Sequence, residues 1–337
     1  MSSKTLRMAV VAACLLAALT ESAAQGMTQA ERRTRLNNKL AERFFKTKYD
    51  TAYVVRPNAK LTLKLRLNQT GNDFHAKGTV NDVDAKADLK TSHKTTVSIG
   101  ASYYGISAAL ALNPGKMSGA YKDYEFNLNY YSSSICIDLS YQRSGSLAGD
   151  IRRNELSSRL EQGDLTMKVT NLTATYTFSH SRFSYPAAFN QSYIQRRSAG
   201  SWLAGVSYQG GTIKTTDELK ARRPDAPEAT ISVGHFGIGG GYGYNWVPSR
   251  RWLLHFSMLP TVVVYNHNKL TLKGERKNAQ QMRLNMIFNE RVAIVHNFTE
   301  RYFAGATLVM NNSVFDDNAV IINQNKWRAR LFVGCRF

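Results

Sequence analysis

The chain has 337 residues, with 44 Lys and Arg against 24 Asp and Glu, a formal net charge of +20. That length suits one large β domain or two ordinary ones, and the basic excess suits anionic partners. Beyond the first two dozen residues no stretch approaches the ~20 apolar residues of a spanning helix, which excludes a helical membrane protein.

The amino terminus has the layout of a secretory signal. Lys4 and Arg7 precede an apolar run from Met8 to Leu19, and Ser22-Ala23-Ala24 offers a small-residue cleavage site before Gln25. Residues 1–24 are therefore expected to be removed. An exported chain rarely meets nucleic acid, so lipid headgroups, lipopolysaccharide phosphates or anionic solutes are the natural counterparts of its charge. Cys136 and Cys335 have opposite face parity in their segments, so no disulfide is expected between them.

Residues 25–59 read as a helix with an extended lead-in. Thr28 and Glu31 have capping-box spacing, and Leu36, Leu40 and Phe44 repeat every four residues among Arg32, Arg33, Arg35, Lys39, Arg43 and Lys46. Such a helix could lie on a membrane, plug a barrel or pack beneath it.

From residue 60 the period changes to two, the signature of strands with one apolar face. Leu61, Leu63, Leu65 and Leu67 alternate with Thr62, Lys64, Arg66 and Asn68, and Phe74, Ala76 and Val80 follow an expected Gly71-Asn72 turn. Further alternating runs bring the count to about 12–14 strands, several of them long enough to cross a membrane. Connections alternate between tight ones, such as 82–83, Ser132–Ser134, Val247–Arg250 and Thr299-Glu300, and long ones at 114–121, 144–164, 211–230, 266–279 and 313–325. Tyr103-Tyr104, Tyr130-Tyr131, Trp246 with Trp252, and Phe298 with Tyr302 bracket the tight turns. Short turns at one end beside aromatic rings are what an outer-membrane barrel requires. A soluble sandwich would give alternation without this asymmetry. Segment 179–198 breaks the rule, being long where a short turn is due.

The last strand, Lys326–Phe337, carries Trp327, Ala329, Leu331, Val333, Cys335 and Phe337 on one face and Arg328, Arg330 and Arg336 on the other. It ends on an aromatic residue and reads as an assembly signal with Phe337 at a periplasmic rim. The expected fold is thus all-β, a transmembrane antiparallel up-and-down β-barrel over residues 60–337 with a short N-terminal amphipathic helix.

Parity places Lys64, Arg66, Lys77, Lys168, Arg283, Arg328, Arg330 and Arg336 in the lumen. A ring of cations selects anions; the alternative is that these residues pair with Asp138 and Glu125 and fill the barrel. Gly237, Gly239, Gly241 and Gly243 share a face opposite Phe236, Ile238, Tyr242, Tyr244 and Trp246. They leave a bare lumenal strip, made either for something packed against it or for strand bending.

Catalytic signals are weak. No nucleophile-elbow or HExxH spacing occurs, no metal or cofactor is expected, and Ser179-His180-Ser181 are adjacent residues that a strand would turn apart. The leading expectation is an outer-membrane pore or channel-like protein with a basic lumen, open or plugged, and not an enzyme. The alternatives are a lipid-active hydrolase using residues 179–201, and a structural or surface barrel binding lipopolysaccharide or a partner. Expected partners are outer-membrane lipids, lipopolysaccharide and the barrel-assembly machinery, with a monomer as the default.

Several strings, among them Lys60–Gln69, Tyr121–Asn129, Phe183–Phe189, Ser198–Ser201, Ser207–Glu218 and Trp246–Pro260, together resemble an uncharacterised family of Bacteroides- and Prevotella-type bacteria, the domain of unknown function 4421. The resemblance spans roughly 40–337. It implies an exported outer-membrane-type protein and supplies no activity or catalytic residue.

Overall fold

The computed structural model describes residues 31, 35–36, 48–59, 61–80, 83–103, 106–112, 124–154, 156–226, 228–272, 275–278, 285–316 and 320–337. Two units emerge, Met1–Thr47 and Lys48–Phe337. Of the first, Glu31, Arg35 and Leu36 are described, and all three are helical. The rest of the amphipathic stretch 28–47 and Arg283 lie outside the described residues.

In the second unit a short β1 (Val54–Val55) precedes β2 (Leu61–Val80), β3 (Val83–Lys90), β4 (Lys94–Tyr103), β5 (Ile106–Leu112) and β6 (Tyr124–Tyr131). Next come β7 (Ile135–Arg153), β8 (Leu156–Thr177), β9 (Ile194–Gln195), β10 (Ala199–Thr215), β11 (Ala229–Ser249) and β12 (Trp252–Leu272). The chain ends with β13 (Glu275–Asn278), β14 (Met286–Asn297), β15 (Tyr302–Asp316) and β16 (Val320–Arg336).

Ten strands close a ring, in the order β2, β3, β7, β8, β10, β11, β12, β14, β15, β16 and back to β2, every pair antiparallel. Closure runs from Arg336 opposite Thr62 to Val320 opposite Gly78. The molecule is a transmembrane antiparallel β-barrel, closed through ten strands rather than twelve to fourteen.

The count differs because the wall forks. β2 pairs with β4 along Leu61–Thr70 and with β3 along Asp73–Val80. β7 pairs with β6 along Cys136–Arg143 and with β3 along Ala148–Arg153. So β3 fills the wall at the end distal to Phe337, while β4, β5 and β6 serve the Phe337 end. Thr91 holds the fork through its side chain and its backbone: Asn72 N–H donates to Thr91 Oγ1 at 3.1 Å, and Thr91 N–H returns to the Asn72 carbonyl at 3.0 Å. Gly149 sits there with φ +151°, and a Cβ on it would lie 2.0 Å from the Asp88 carbonyl oxygen, which only glycine avoids.

The strands are longer than their outward apolar runs because the hydrophobic face changes sides partway along them. On β2, Leu63, Leu65 and Leu67 point outward and Lys64, Arg66 and Asn68 inward; above Asn72, Phe74 and Ala76 line the lumen while His75 and Lys77 face out. No turn forms at Gly71-Asn72. β8 inverts likewise: Leu172 and Tyr176 are outward and Asn171, Thr173 and Thr175 inward, whereas Leu165, Met167 and Val169 are inward and Lys168 outward. An apolar exterior with a polar lining suits lipid, and the reverse suits water, so the inversion marks the membrane boundary. It also explains the expected long connections. The described residues of 144–164, 211–230, 266–279 and 313–325 are largely strand, and Arg153 of β7 already pairs with Leu156 of β8.

Aromatics ring the Phe337 end as expected: Tyr130, Trp246, Trp252, Phe298, Tyr302 and Phe337 are exposed, joined by Tyr176, Phe178, Trp202, Tyr242 and Tyr244. Tyr131 turns inward instead. Phe337 closes the barrel by exchanging backbone hydrogen bonds with Leu61 at 2.7 and 3.0 Å, and the Arg301 guanidinium lies 5.3 Å from its ring.

Candidate functional site: a sealed lumen below an apolar chamber

Segment 178–198, between β8 and β10, folds into the lumen. Ser184 caps α1 (Tyr185–Phe189), its hydroxyl accepting from Ala187 N–H at 3.2 Å, and Pro186 sits in the first turn, a sequence made to start a helix. Phe183, Tyr185, Ala187, Ala188 and Phe189 pack against Cys136, Leu203, Leu253, Leu259, Val295, Phe303 and Phe332 of the wall. Each large side chain so buried contributes about 1.5–3 kcal/mol. Residues 48–56 brace this plug: β1 pairs with β9, Asp50 N–H donates to the Ser181 carbonyl at 2.8 Å, and the rings of Tyr49 and Tyr193 meet edge-on at 4.9 Å.

The inward cations grip the plug. Lys64 Nζ donates to the Asn190 carbonyl and to Gln191 Oε1. Arg336 donates to the Gln191 carbonyl at 3.0 Å, to Asn297 Oδ1 at 3.0 Å and to the Glu300 carbonyl at 2.8 Å. Gln191 is thereby held at φ +56°, a left-handed conformation that costs a non-glycine residue about 1–2 kcal/mol. Deeper in the lumen, Arg291 pairs with Asp138 at 2.5 Å, Tyr131 donates to the same carboxylate at 2.5 Å, and the guanidinium faces Phe189 at 5.8 Å. Glu125 faces Arg328, Lys326 and Lys94 and accepts from Thr70 at 3.2 Å. Arg330 donates to Asn68 at 2.8 Å.

Lys64, Arg66, Arg328, Arg330 and Arg336 thus turn inward. Lys77 and Lys168 do not; both lie exposed on the outer wall. Parity assigned them correctly relative to their apolar neighbours, but in the distal half those neighbours point in. Lys94, Arg291 and Lys326 are further inward cations absent from the expected set. On β14 apolar residues occupy both faces, which hides Arg291, whereas Lys326 shares the parity of Arg328, Arg330 and Arg336. Among the described residues at this level, eight inward cations (Lys64, Arg66, Lys94, Arg291, Lys326, Arg328, Arg330, Arg336) meet two inward carboxylates, Asp138 and Glu125. Pairing does not neutralise them.

The glycine strip admits close neighbours. A Cβ at Gly239 or Gly241 would come within 2.0 Å of the Pro260 or Met258 carbonyl of β12, so these two permit the close approach of that strand. Gly243 faces Phe183 of the plug, 3.0 Å from where its Cβ would be. Cys136 is buried beneath the plug and Cys335 is on the outer face.

One constellation escaped the sequence. His255 Nε2 is 2.9 Å from Ser257 Oγ and its Nδ1 is 2.7 Å from Asn245 Oδ1, while Asn245 Nδ2 donates to the Ser184 carbonyl at 3.1 Å. A hydroxyl, an imidazole and an amide thus stand in series, the order a serine nucleophile, its base and an orienting group would need, with Ser257 and His255 each 2% exposed beneath Tyr185 and Phe189. The signal was present, because residues two apart on a strand share a face. By contrast, His180 makes no hydrogen bond to Ser179, Ser181 or Ser184 among the described residues.

Beyond this packed layer lies a cavity of about 750 Å³, walled by Phe74, Leu89, Ile151, Leu160, Leu165 and Phe315. A short α2 (Asp217–Arg222) lies over it, burying Leu219. Arg222 pins α2 by pairing with Asp164 and Glu161, and the Thr216 cap donates to the Gly163 carbonyl at 2.6 Å.

Fold and lumen together define a transmembrane β-barrel of the outer-membrane type, carrying an internal plug and a separate apolar chamber. The chain belongs to the family described as Domain of unknown function (DUF4421), which matches residues 48–337. No curated protein matches the sequence. Similar solved structures include the outer membrane protease OmpT from Escherichia coli, at 7% identity, TM-score 0.45, with 83% of this chain and 97% of that one covered. The translocator domain of the autotransporter NalP from Neisseria meningitidis gives 9%, 0.33, 91% and 96%. The COG4313 outer membrane channel from Pseudomonas putida F1 gives 11%, 0.32, 84% and 97%. At such identity none of those activities passes to this chain.

Proposed function

We propose that this protein is exported through a cleaved signal at residues 1–24, resides in the bacterial outer membrane with Phe337 at the periplasmic rim, and is a channel-like barrel held shut by its 178–198 plug. The observation that carries this reading is the pairing of an anion-attracting lumen with a segment that both fills it and is held by it. Lys64 and Arg336 occupy the positions where permeant anions would bind, and instead they hold the backbone of Asn190 and Gln191. Releasing the plug frees those cations for solutes. Outside, exposed Lys77, Lys86, Lys90, Lys168 and Lys214 form a collar above the apolar band, suited to the phosphates of lipopolysaccharide.

Planar-bilayer conductance tests the channel. The intact protein should show no steady current, and a variant with 183–192 replaced by a Gly-Ser linker should conduct with anion preference. Steady current from the intact protein, or cation preference in the variant, contradicts the reading.

A second reading rests on the Ser257–His255–Asn245 relay: a hydrolase whose nucleophile is uncovered when the plug moves. It replaces the hydrolase expected around His180. A fluorophosphonate should then label Ser257 in the linker variant but not in the intact protein; absence of label in both ends this reading.

A further inference from the structure

The distal chamber has a built interior that neither the plug nor the channel reading uses. Its wall is apolar around its full circumference, from Phe74 on β2 through Leu89, Leu165 and Ile213 to Phe315 on β15. At about 750 Å³ it falls within the size of small-molecule sites. Its floor differs. His235, 1% exposed, stacks on Phe315 at a centroid distance of 3.6 Å, which fixes the ring against the cavity wall. The Asn268 amide lies within hydrogen-bonding reach of that ring. Among the described residues, neither the ring nitrogens nor the Asn268 side-chain oxygen meets any other partner. Buried polar atoms are normally fully satisfied, and this pair lines a cavity with only each other to bond. The remaining polar floor residues, Asn285 and Gln324, are neutral and already engaged: Asn285 Oδ1 accepts from Asp316 N–H at 2.8 Å, and Gln324 donates to Asn72 at 3.0 Å.

We propose that the chamber is a binding site for an uncharged amphipathic small molecule, its apolar body against the wall and a hydroxyl at the floor, donating to Asn268 and bonding to His235. A hydroxyl both donates and accepts, which matches a neutral imidazole beside an amide. A charged head is disfavoured because, among the described residues, the side chains around His235 (Asn268, Asn285 and Gln324) carry no charge, and burying a charge without a partner is costly. The charged residues that line the rest of the cavity, Arg153, Arg223 and Lys269 against Asp225, disfavour cationic amphiphiles again. Entry is past α2, whose clamp is the Arg222 pairing with Asp164 and Glu161. The site stands whether or not the lumen below conducts.

Fluorescence titration of the full chain in amphipol with 2-naphthol, naphthalene and 2-naphthoate tests this. We expect saturable binding of one 2-naphthol per chain, weaker binding of naphthalene, and none of 2-naphthoate at the same concentrations. His235→Phe keeps the ring stack and removes both nitrogens; it should weaken 2-naphthol at least fivefold and leave naphthalene unchanged. Leu165→Trp, which fills the chamber, should abolish binding of both, with heat-modifiable mobility confirming assembly. If that variant does not assemble, Ile213→Phe takes its place. No saturable binding, 2-naphthoate bound as tightly as 2-naphthol, or a His235→Phe variant indistinguishable from the parent each overturns the assignment.

Discussion

The two halves of the lumen solve opposite problems with the same strands. Near Phe337 the wall is apolar outside and polar inside, so the interior must be filled by a folded segment and by hydrogen-bonded cations. In the distal half the wall is polar outside and apolar inside, like a soluble barrel, and the interior is left as a chamber. A single strand such as β2 takes part in both, with Leu65 outward in the first half and Phe74 inward in the second. The lesson is that alternation alone does not say which face is wet; the environment outside the strand decides.

The strongest way to break the sealed half is to orphan its buried charge. Arg291→Met leaves Asp138 without its partner and should cost about 3–5 kcal/mol, seen as a lost or lowered heat-modifiability transition. Adding Asp138→Asn should recover part of that loss; no recovery would show that the pair is not the cause. Next in size is Gly241→Val. The added side chain meets the Met258 carbonyl, so overpacking should cost about 1–3 kcal/mol or more and reduce assembled protein in membranes. Leu147→Ala, in the cluster that walls the chamber, should destabilise by about 2–5 kcal/mol if that half is packed as tightly as the first; a change under 1 kcal/mol would show the distal half to be loosely held.

The smallest effect is expected on the outer wall. His75 and Lys86, at 2.7 and 2.9 Å, hold the Asp88 carboxyl below its usual range. A depressed folded pKa stabilises above the unfolded value near 4 and is lost as pH falls through the folded one. Because the pair is exposed, Asp88→Asn should change stability by about a few tenths of a kcal/mol at pH 7 and by nothing measurable at pH 2.

Much of the first half was legible in the sequence. Lys326–Phe337 lies on the faces its alternation indicates, and the tight turns at Ser132–Ser134, Val247–Arg250 and Thr299-Glu300 fall with their aromatics at the Phe337 end. The tight connection expected at 82–83 instead joins β2 to β3 at the distal end, where β7 also meets β8 closely. The distal half was not legible, because a search for outward apolar residues loses a strand once its apolar face turns in; Leu165, Met167 and Val169 then read as loop, and Lys77 and Lys168 as lumenal. The fork was hidden for a different reason. Pairing β2 with both β3 and β4 depends on hydrogen bonds at Asn72 and Thr91, which no periodicity records. The plug was visible only as a length that broke a rule, although Ser184-Tyr185-Pro186 does announce a helix start. His255 and Ser257 share a face because they stand two apart on β12, a spacing that marks no known motif, whereas the adjacent Ser179, His180 and Ser181 stand out in the sequence without being able to meet.

The most direct test of the sealed lumen uses a thiol already in place. Cys136 is 1% exposed beneath Phe183, Tyr185 and Phe189. In a Cys335→Ser background the assembled protein should resist a water-soluble maleimide for hours, and replacing 183–192 with a Gly-Ser linker should make Cys136 react within minutes. Rapid labelling of the intact barrel would contradict the plug.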